Sequence, residues 1–532
     1  MPLHKACFVT GEDKLRRAVS RNKPNPFLRS ARREPRVGRH AGPTMTCMAP
    51  TGLEAPIEPH VGSQPGWELS PVNRRLPCDG STFRWVNLAR SWGVMVCVLL
   101  SQTLRAQPLR MAVLGDSLSA EYESIRGIAG VDDPTEYAAI TVPGWESMSW
   151  VEVLGRLRSD AVNLGGYDTK LLGWGPLRFS GYECNFAIPG FEASQFEQVV
   201  NSSIFSDPQY LLYKRQITGV LQSQADAAVV WLGGNEFRAN YGFLYDGGDP
   251  VPLVNSLSND LAEVLDFVLA QKTGIKLVVV NLPDLGATPD KQAAHPDAAK
   301  RANVTAATVL ANQAIANLAA TRGIAVADAF SETRNLVNDE TIWIGPVNIF
   351  AGSHPDNHPR HAFTRDGLHP NACLQARIAN LVLTAFNQFY STSIPLLTDG
   401  EILGLIGVDP MQPYLDWVDD ESLVKSGLGD DPDDDRWVNL AEFVFDLDPG
   451  VQSPSPLKVD TGSSPVAIRY HVHPDRLRLV AVKPQWSMHL SHWEDVPARS
   501  LNSTPDGQTT ISLPPGETLR FVRVQLSVRP VQ

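Results

Sequence analysis

Four short loops carry the residue types that acyl transfer requires. They are Gly115–Leu118, Asn185–Gly190, Gly233–Glu236 and Asp366–His369, and each follows an apolar run typical of a buried strand. Because the carboxyl ends of parallel strands meet at one edge of a sheet, we expect the four loops to converge there. Residues far apart in the chain would then form one site.

The first and last loops contain a nucleophile, a base and an orienting carboxylate. Ser117 Oγ would attack an acyl carbonyl, and His369 would take its proton and return it to the leaving alcohol. Asp366 lies three residues before His369, so a single turn can hold the carboxylate against the imidazole. The spacing predicts a catalytic triad of Ser117, Asp366 and His369.

Donors for the developing oxyanion are expected from three loops. The backbone N–H groups of Ser117 and Gly190 and the side-chain amide of Asn235 would supply them. Gly190 has no Cβ, which permits close approach of a substrate. Taken singly, each glycine-containing loop could be plain turn chemistry, and a lone histidine is usually structural. The order of all four loops together favours catalysis.

Strands that alternate with helical stretches must position these loops. Five short apolar runs with helical crossovers predict a parallel sheet covered on both faces. The predicted strands are Met111–Leu114, Cys184–Ile188, Ala227–Leu232, Lys276–Asn281 and Ile324–Ala327. The longest predicted helices are Leu253–Gln271, Ala298–Thr321 and Ala372–Tyr390. Aromatic residues between Ser117 and Gly190 suggest an insertion that either walls the cleft or forms a satellite cluster.

The four blocks resemble the SGNH, or GDSL-type, hydrolase superfamily over about Leu109–Tyr390. The resemblance implies a three-layer α/β/α sandwich with a flavodoxin-like sheet. It also implies ester hydrolysis through an acyl-enzyme, with no metal or organic cofactor for catalysis. The family's roles fall on Ser117, Gly190, Asn235 and His369, with Asp366 as the third triad member.

One residue departs from the family pattern. Glu236 stands where the family more often has aspartate. The longer carboxylate should keep the charge but shift the loop that carries Asn235.

Composition and the first hundred residues indicate a secreted globular protein. The chain has 532 residues, of which 43% are hydrophobic, and a net charge of -12, which argues against a nucleic-acid partner. Residues 1–84 are rich in Arg, Pro and Gly and are predicted to be disordered, a basic tail or an over-long gene model. Residues 85–106 resemble a bacterial signal peptide ending at Ala106, with a buried strand or helix as the alternative. No transmembrane helix is expected in the mature chain.

Neither the cysteines nor a histidine-rich run predicts a metal site. Cys184 and Cys373 alone fall in the predicted hydrolase domain, residues 107–396, and two separate buried thiols are favoured over a disulfide. The run from Ser353 to His361 is interrupted by prolines, which favours a surface loop near the rim of the site over a metal site.

An acidic segment, residues 397–460, contains a stretch, Asp431–Glu442, that has the spacing of a twelve-residue calcium loop. The ligands would be the side chains of Asp431, Asp433, Asp435, Asn439 and Glu442 and the carbonyl of Trp437. Arg436 occupies the sixth position, where glycine is usual. A solvated acidic linker is the alternative. The segment also resembles an Asp-rich element of secreted bacterial proteins, which implies a calcium-stabilised spacer.

The last part of the chain, residues 461–532, alternates in the manner of strands and predicts a small all-β domain. Its strand-like segments are Val466–Val472, Arg476–Val482 and Leu519–Val528. Together these features predict a secreted serine esterase, with acylated carbohydrates as the preferred substrates. A lipase or lysophospholipase is the alternative, and a non-catalytic binding protein on the same fold is a third hypothesis. The sequence leaves the oligomeric state open.

Overall fold

The computed structural model describes residues 107–122, 147–169, 180–338, 341–463, 465–514 and 521–531. The predictions for residues 1–84 and 85–106 lie outside these ranges. All described residues belong to one compact unit. Among them, no helix combines the length and the apolar character needed to cross a bilayer.

A five-stranded sheet lies at the centre of the hydrolase domain. Its strands are β1 (Leu109–Gly115), β2 (Val162–Asn163), β5 (Ala227–Trp231), β6 (Lys276–Val280) and β7 (Ala325–Ala327). They follow the order β2-β1-β5-β6-β7, and every neighbouring pair is parallel. A two-stranded hairpin, β3 (Tyr167–Thr169) and β4 (Ser180–Tyr182), accompanies it. The predicted five-stranded parallel sheet is confirmed.

Helices cover both faces of this sheet, as the near-continuous apolar strands require. One layer contains α1 (Trp150–Leu157), α9 (Ala329–Asn338) and α10 (Ala372–Tyr390). The other contains α2 (Ala193–Asn201), α3 (Pro208–Ser223), α6 (Val251–Gln271) and α8 (Ala298–Arg322). The short helices α4 (Gly234–Ala239), α5 (Tyr241–Tyr245) and α7 (Pro289–Ala294) lie in the loops. The predicted three-layer α/β/α sandwich is confirmed.

Side chains along β1 point alternately to the two faces of the sheet, so this strand contributes to both hydrophobic cores. Met111 and Val113 point into one hydrophobic core, and Ala112 and Leu114 point into the other. All four side chains are fully buried. Gly115 then ends the strand and delivers the next residues to the carboxyl edge.

One predicted strand was wrong. The segment from Cys184 to Ile188 runs beside the end of β1, with Phe186 N–H donating to the Val113 carbonyl and Ile188 N–H to the Gly115 carbonyl. It forms an isolated bridge rather than a regular strand, because the Phe186 carbonyl accepts from the Tyr213 hydroxyl and not from β1. The two-residue strand β2 pairs with the start of β1 instead. Two short segments therefore share one sheet edge.

A second, three-stranded sheet extends the first core. It consists of β8 (Thr341–Ile344), β9 (Val347–Ser353) and β10 (His361–Phe363), in the order β10-β9-β8. Ile342, Ile344, Val347 and Ile349 join the core that also holds α10. The sequence analysis did not predict this sheet.

Residues 397–460 form three helices that divide between two cores. They are α11 (Asp399–Ile406), α12 (Gln412–Asp420) and α13 (Asn439–Phe445). Ile402 and Leu403 of α11 pack into the hydrolase core. Trp417 of α12 and Phe443 of α13 pack into a C-terminal core. The apolar faces of these helices leave little of the segment as an extended spacer.

The C-terminal part is rich in strands, as predicted, and these strands form two antiparallel sheets. One has the order β11-β12-β16-β15 and the other β14-β13-β17. The strands are β11 (Lys458–Asp460), β12 (Ala467–His471), β13 (Val480–Ser487), β14 (Glu494–Asp495), β15 (Leu501–Ser503), β16 (Gln508–Ser512) and β17 (Phe521–Val528). The predicted strand over Arg476–Val482 begins instead as a helical turn, α14 (Arg476–Leu479), because the preceding Pro474 and Asp475 carbonyls accept the N–H groups of Leu477 and Arg478.

Candidate active site

Ser117, His369 and Asp366 form a continuous hydrogen-bonded chain. His369 Nε2 lies 2.9 Å from Ser117 Oγ, and His369 Nδ1 lies 2.5 Å from Asp366 Oδ2. An ionised Asp366 accepts from Nδ1–H, which leaves Nε2 free to accept the serine proton. Ser117 is half-buried and His369 is 2% exposed, so the serine hydroxyl is the accessible end of the chain.

Asp366 is held as a carboxylate despite its burial. Burial alone would raise its pKa, but the hydrogen bond and charge of His369 and the N–H groups of Leu368 and His369 lower the pKa to about 2. Oδ1 accepts from Leu368 N–H at 2.8 Å, His369 N–H at 3.0 Å and Thr364 Oγ1 at 2.7 Å. The carboxylate is thus fixed in the orientation that it needs to hold the imidazole.

Gly367 makes the tight turn between these two residues possible. Its φ is +71°, and a Cβ there would lie 3.0 Å from the backbone nitrogen of Asp290. Asp290 N–H donates to the Gly367 carbonyl at 3.0 Å. A side chain at position 367 would disturb both the left-handed turn and this contact.

The nucleophile sits on one hydrogen-bonded turn at the end of β1. The Asp116 carbonyl accepts the N–H groups of Ser119 and Ala120, and the Asp116 side chain accepts Leu118 N–H at 2.9 Å. Burial raises the pKa of Asp116 to about 6, while Leu118 N–H and the charge of His369 act in the opposite direction. Asp116 therefore fixes the backbone that follows Ser117.

The two remaining oxyanion candidates lie in different surroundings. The Asn235 amide donates to the Phe191 carbonyl at 2.9 Å and more weakly to Asp116 Oδ2 at 3.4 Å, and it lines the same pocket as Ser117. Gly190 adopts φ +77° in an exposed turn, and it is not among the residues that line this pocket. The structure thus brings Asn235 together with the triad more closely than Gly190.

Glu236 joins the loop of Asn235 to the helix that follows Gly190. Its Oε1 accepts Ala193 N–H at 2.5 Å, at the start of α2, whereas the buried Oε2 has no hydrogen-bond partner. Burial raises the pKa of Glu236 to about 7. The longer glutamate therefore serves as a bridge between two loops of the site.

A pocket that is partly open to solvent lies at Ser117 and His369. Half of its lining residues are apolar, namely Leu118, Trp231, Pro283, Leu285, Ala329, Phe363, Leu368, Pro370, Leu374 and Ile378. Two of its acidic residues are neutralised by partners. Asp284 accepts from Arg334 at 3.1 Å, and Glu332 is paired with Arg377.

Tyr122 and Gln375, which were not predicted from the sequence, connect the turn that carries Ser117 to the loop that carries His369. The buried Tyr122 donates to the Pro370 carbonyl at 3.3 Å and accepts from Gln375 at 2.8 Å. Its ring meets the His369 ring edge-on, with centroids 6.1 Å apart. Gln375 also accepts Trp150 N–H at 3.0 Å. No sequence spacing signals these contacts, because the partners lie up to 253 positions apart.

Other predicted features fall outside the pocket. Trp150 is fully buried in the hydrolase core and donates to Ser119, and Tyr167 packs edge-on against Tyr182. None of these three aromatic residues lines the pocket. His354, His358 and His361 contact one another at the turn between β9 and β10. Within the described ranges, the one group that brings three potential metal-binding side chains together is Asp431, Asp433 and Asp435.

Both cysteines of the hydrolase domain are free and buried, as predicted. Cys184 lies beside the end of β1, and Cys373 lies at the start of α10. Burial raises the pKa of the Cys373 thiol to about 12. Both thiols therefore act as small apolar core residues.

The fold and the site define a three-layer α/β/α protein with a Ser–His–Asp arrangement at the carboxyl edge of its sheet. The family model described as GDSL-like lipase/acylhydrolase matches residues 111–382, which is just over half of the chain. The chain belongs to this family and is an ester hydrolase. A comparison with curated proteins gives no match.

Several solved structures are similar over the hydrolase domain. An extracellular lipase from Streptomyces rimosus is 16% identical, with 52% of this chain and 99% of that chain covered and a TM-score of 0.31. A phospholipase A1 from Streptomyces albidoflavus is 16% identical, covering 53% and 99%, with a TM-score of 0.28. A carbohydrate esterase of family 3 from Talaromyces cellulolyticus is 15% identical, covering 54% and 100%, with a TM-score of 0.28.

Proposed function

We propose that the protein is a serine esterase in which Ser117 forms the acyl-enzyme. The main support is the hydrogen-bonded chain at an accessible pocket. Ser117 Oγ lies 2.9 Å from His369 Nε2, and His369 Nδ1 lies 2.5 Å from Asp366 Oδ2. A serine hydroxyl is a weak nucleophile by itself. A positioned imidazole that takes its proton makes the serine oxygen a much stronger nucleophile.

The residues would act in two half-reactions. In the first, Ser117 Oγ adds to the ester carbonyl while His369 Nε2 takes the proton, and the oxyanion is held by donors that include the Asn235 amide. The tetrahedral intermediate then expels the alcohol, which receives the proton from His369. In the second half-reaction, water attacks the acyl group with His369 as base. This releases the carboxylic acid and restores Ser117 Oγ–H.

Two substrate classes fit this chemistry. Acetylated carbohydrates are the preference drawn from the signal-like segment and the accessory β-sheets. The pocket favours the alternative, an ester with an extended apolar acyl chain. Its apolar lining and the paired charges of Asp284 and Glu332 leave a surface suited to hydrocarbon. We therefore place lipid-like esters first and short acyl esters of carbohydrates second.

A series of p-nitrophenyl esters from acetate to dodecanoate tests this order of substrate preference. We expect kcat/KM to rise with chain length by at least about tenfold, because each buried methylene contributes roughly 0.8 kcal/mol. Leu285→Trp, which narrows the pocket, should reduce turnover of long chains more than that of acetate. Leu285→Met conserves the volume and serves as the control. Highest activity on acetate would favour the carbohydrate esters instead.

We also propose that the enzyme is exported. The support is the signal-like segment at residues 85–106, with its positive flank and short apolar run. N-terminal sequencing of the protein recovered outside the cytoplasm should begin at Gln107. An exported chain that keeps residues 85–106 would contradict this proposal.

A further inference from the structure

Three aspartates converge in the loop before α13. Carboxylate oxygens of Asp431, Asp433 and Asp435 lie within 4.8 Å of one another, and the three side chains are half-buried. Like charges at this distance repel one another. Backbone N–H groups inside the loop bind some of the oxygens, and Asp433 Oδ2 is buried with no partner.

Glu442 faces this cluster from the buried side of α13. Its side chain is fully buried, and neither carboxylate oxygen has a hydrogen-bond partner. A buried carboxylate with neither a cation nor a donor is strongly unfavourable. A bound cation would compensate this carboxylate.

Asn439 presents a fourth unsatisfied oxygen next to the cluster. The residue is fully buried, and its amide nitrogen donates to the carbonyls of Lys425 and Gly427, both at 2.9 Å. These two bonds fix the orientation of the amide. Oδ1 consequently remains buried without a donor.

In the described part of the chain, no Lys or Arg side chain compensates these groups. Among the described Lys and Arg residues, none forms an ion pair with Asp431, Asp433, Asp435 or Glu442. The ammonium group of Lys425 approaches only the backbone carbonyl of Asp431, at 3.4 Å. The site is thus rich in oxygen ligands and negative charge.

We propose that this loop binds one Ca²⁺ ion, which we call the linker calcium site. Asp431, Asp433, Asp435 and a bidentate Glu442 would supply carboxylate oxygens. The Trp437 carbonyl and Asn439, directly or through water, complete the set at twelve-residue loop spacing. A site with this many protein oxygens suits Ca²⁺ better than Mg²⁺, which keeps several of its waters.

The backbone accommodates the unusual sixth residue of the loop. Arg436 adopts φ +82° and Asp434 φ +59°, so the sharp turn forms without glycine. Arg436 N–H donates to Asp431 at 2.9 Å. The arginine therefore imposes backbone strain that the bound ion would offset.

The linker calcium site would hold the C-terminal part of the chain together. Helix α13 places Phe443, Val444 and Phe445 in the C-terminal core. Asp435 also accepts Ser453 N–H at 2.7 Å, on the segment that leads to β11. A cation shared by Asp435 and Glu442 connects these two segments, so its main effect should be on stability.

Thermal unfolding of the full-length protein, with and without calcium, tests the proposal. We expect about 1 mM CaCl₂ to raise the Tm by roughly 5–10 °C over EGTA, and MgCl₂ to raise it much less. Glu442→Gln should abolish the calcium shift. In EGTA the same variant should be as stable as the wild type or more stable, because it removes a buried charge from a cluster of like charges. Asp434→Asn, in the same loop but exposed, is the matched control and should keep the full shift.

Direct titration supplies a readout that does not depend on the variants. Calorimetry of the wild-type protein should show one Ca²⁺ per chain, and Asp433→Asn should weaken this binding at least tenfold. Three results would overturn the proposal: no Tm shift with calcium, no saturable calcium binding, or an unchanged shift in Glu442→Gln. Loss of the shift in Asp434→Asn as well would also count against the assigned ligands.

Discussion

Two neighbouring residues hold the side-chain amide of Asn235. Its amide nitrogen donates to the Phe191 carbonyl at 2.9 Å and makes only a long contact of 3.4 Å with Asp116. In the proposed mechanism the amide would donate to an oxyanion that forms next to Ser117. Preorganised donors of this kind act mainly on the transition state.

Replacing Asn235 with alanine should lower kcat by roughly 10²–10³-fold and change KM only a few-fold, because the lost hydrogen bond strengthens in the transition state. Steady-state kinetics on the best p-nitrophenyl ester gives the measurement. Asn240→Ala is the control, since the Asn240 side chain donates to the Glu236 carbonyl at the end of the same helix and does not line the pocket. An equal loss in both variants would remove Asn235 from the oxyanion site.

At the residue scale, the sequence was most informative where chemistry requires a residue type at a fixed position. Ser117, Asp366 and His369 could be predicted from loop order and spacing, and the structure places them within hydrogen-bonding distance. Tyr122 and Gln375 could not, because their contacts depend on how distant segments pack. The bridge from Glu236 to Ala193 was hidden for the same reason.

At the scale of elements, Glu236 connects α4 to the start of α2. Its carboxyl is buried with one unsatisfied oxygen, and its pKa is raised from 4.5 to about 7. A raised pKa means that the folded state prefers the protonated acid. The contribution of Glu236 to stability is therefore fully present below pH 4.5 and is lost as the pH rises through about 7.

The substitution Glu236→Gln should weaken the dependence of folding stability on pH. Between pH 4.5 and 8 the wild-type protein should lose roughly 2–3 kcal/mol more unfolding free energy than the variant, by the size of the shift. Urea denaturation across this pH range gives the measurement. Glu263→Gln, on the exposed face of α6, is the control. Parallel pH profiles for wild type and Glu236→Gln would contradict the argument.

Element identity was predictable where an apolar run was long and clearly bounded. The runs that became β1, β5, β6 and β7 were found, as were α6, α8 and α10. The edge strand of the sheet was not predicted. β2 has only two residues, and no sequence pattern can mark so short a strand. The segment at Cys184 has a strand-like composition, but it forms only an isolated bridge, and its Phe186 carbonyl accepts from the distant Tyr213.

At the scale of the whole molecule, the hydrolase core extends past its predicted end at residue 396. Leu397, Ile402, Leu403, Ile406 and Val408 all pack into the same core as α10. Composition could not reveal this, because acidic residues surround these apolar positions. The structural unit includes α11.

A chain that ends at residue 396 should therefore be less stable than one that ends at residue 410. The shorter chain loses several buried Leu and Ile side chains, each worth roughly 1.5–3 kcal/mol. Its core surface is also newly exposed, and we expect a lower Tm by differential scanning calorimetry. Equal melting temperatures for the two chains would show that α11 contributes nothing to the core.

The central claim, that Ser117 is the acylated nucleophile, can be tested by trapping the intermediate. The protein is quenched in acid during turnover of a p-nitrophenyl ester, and the acyl adduct is located by peptide mass spectrometry. The account predicts one acyl group per chain, on the peptide that contains Ser117, and its absence in Ser117→Ala together with a loss of activity of at least about 10⁴-fold. An adduct on another residue, or undiminished hydrolysis by Ser117→Ala, would contradict it.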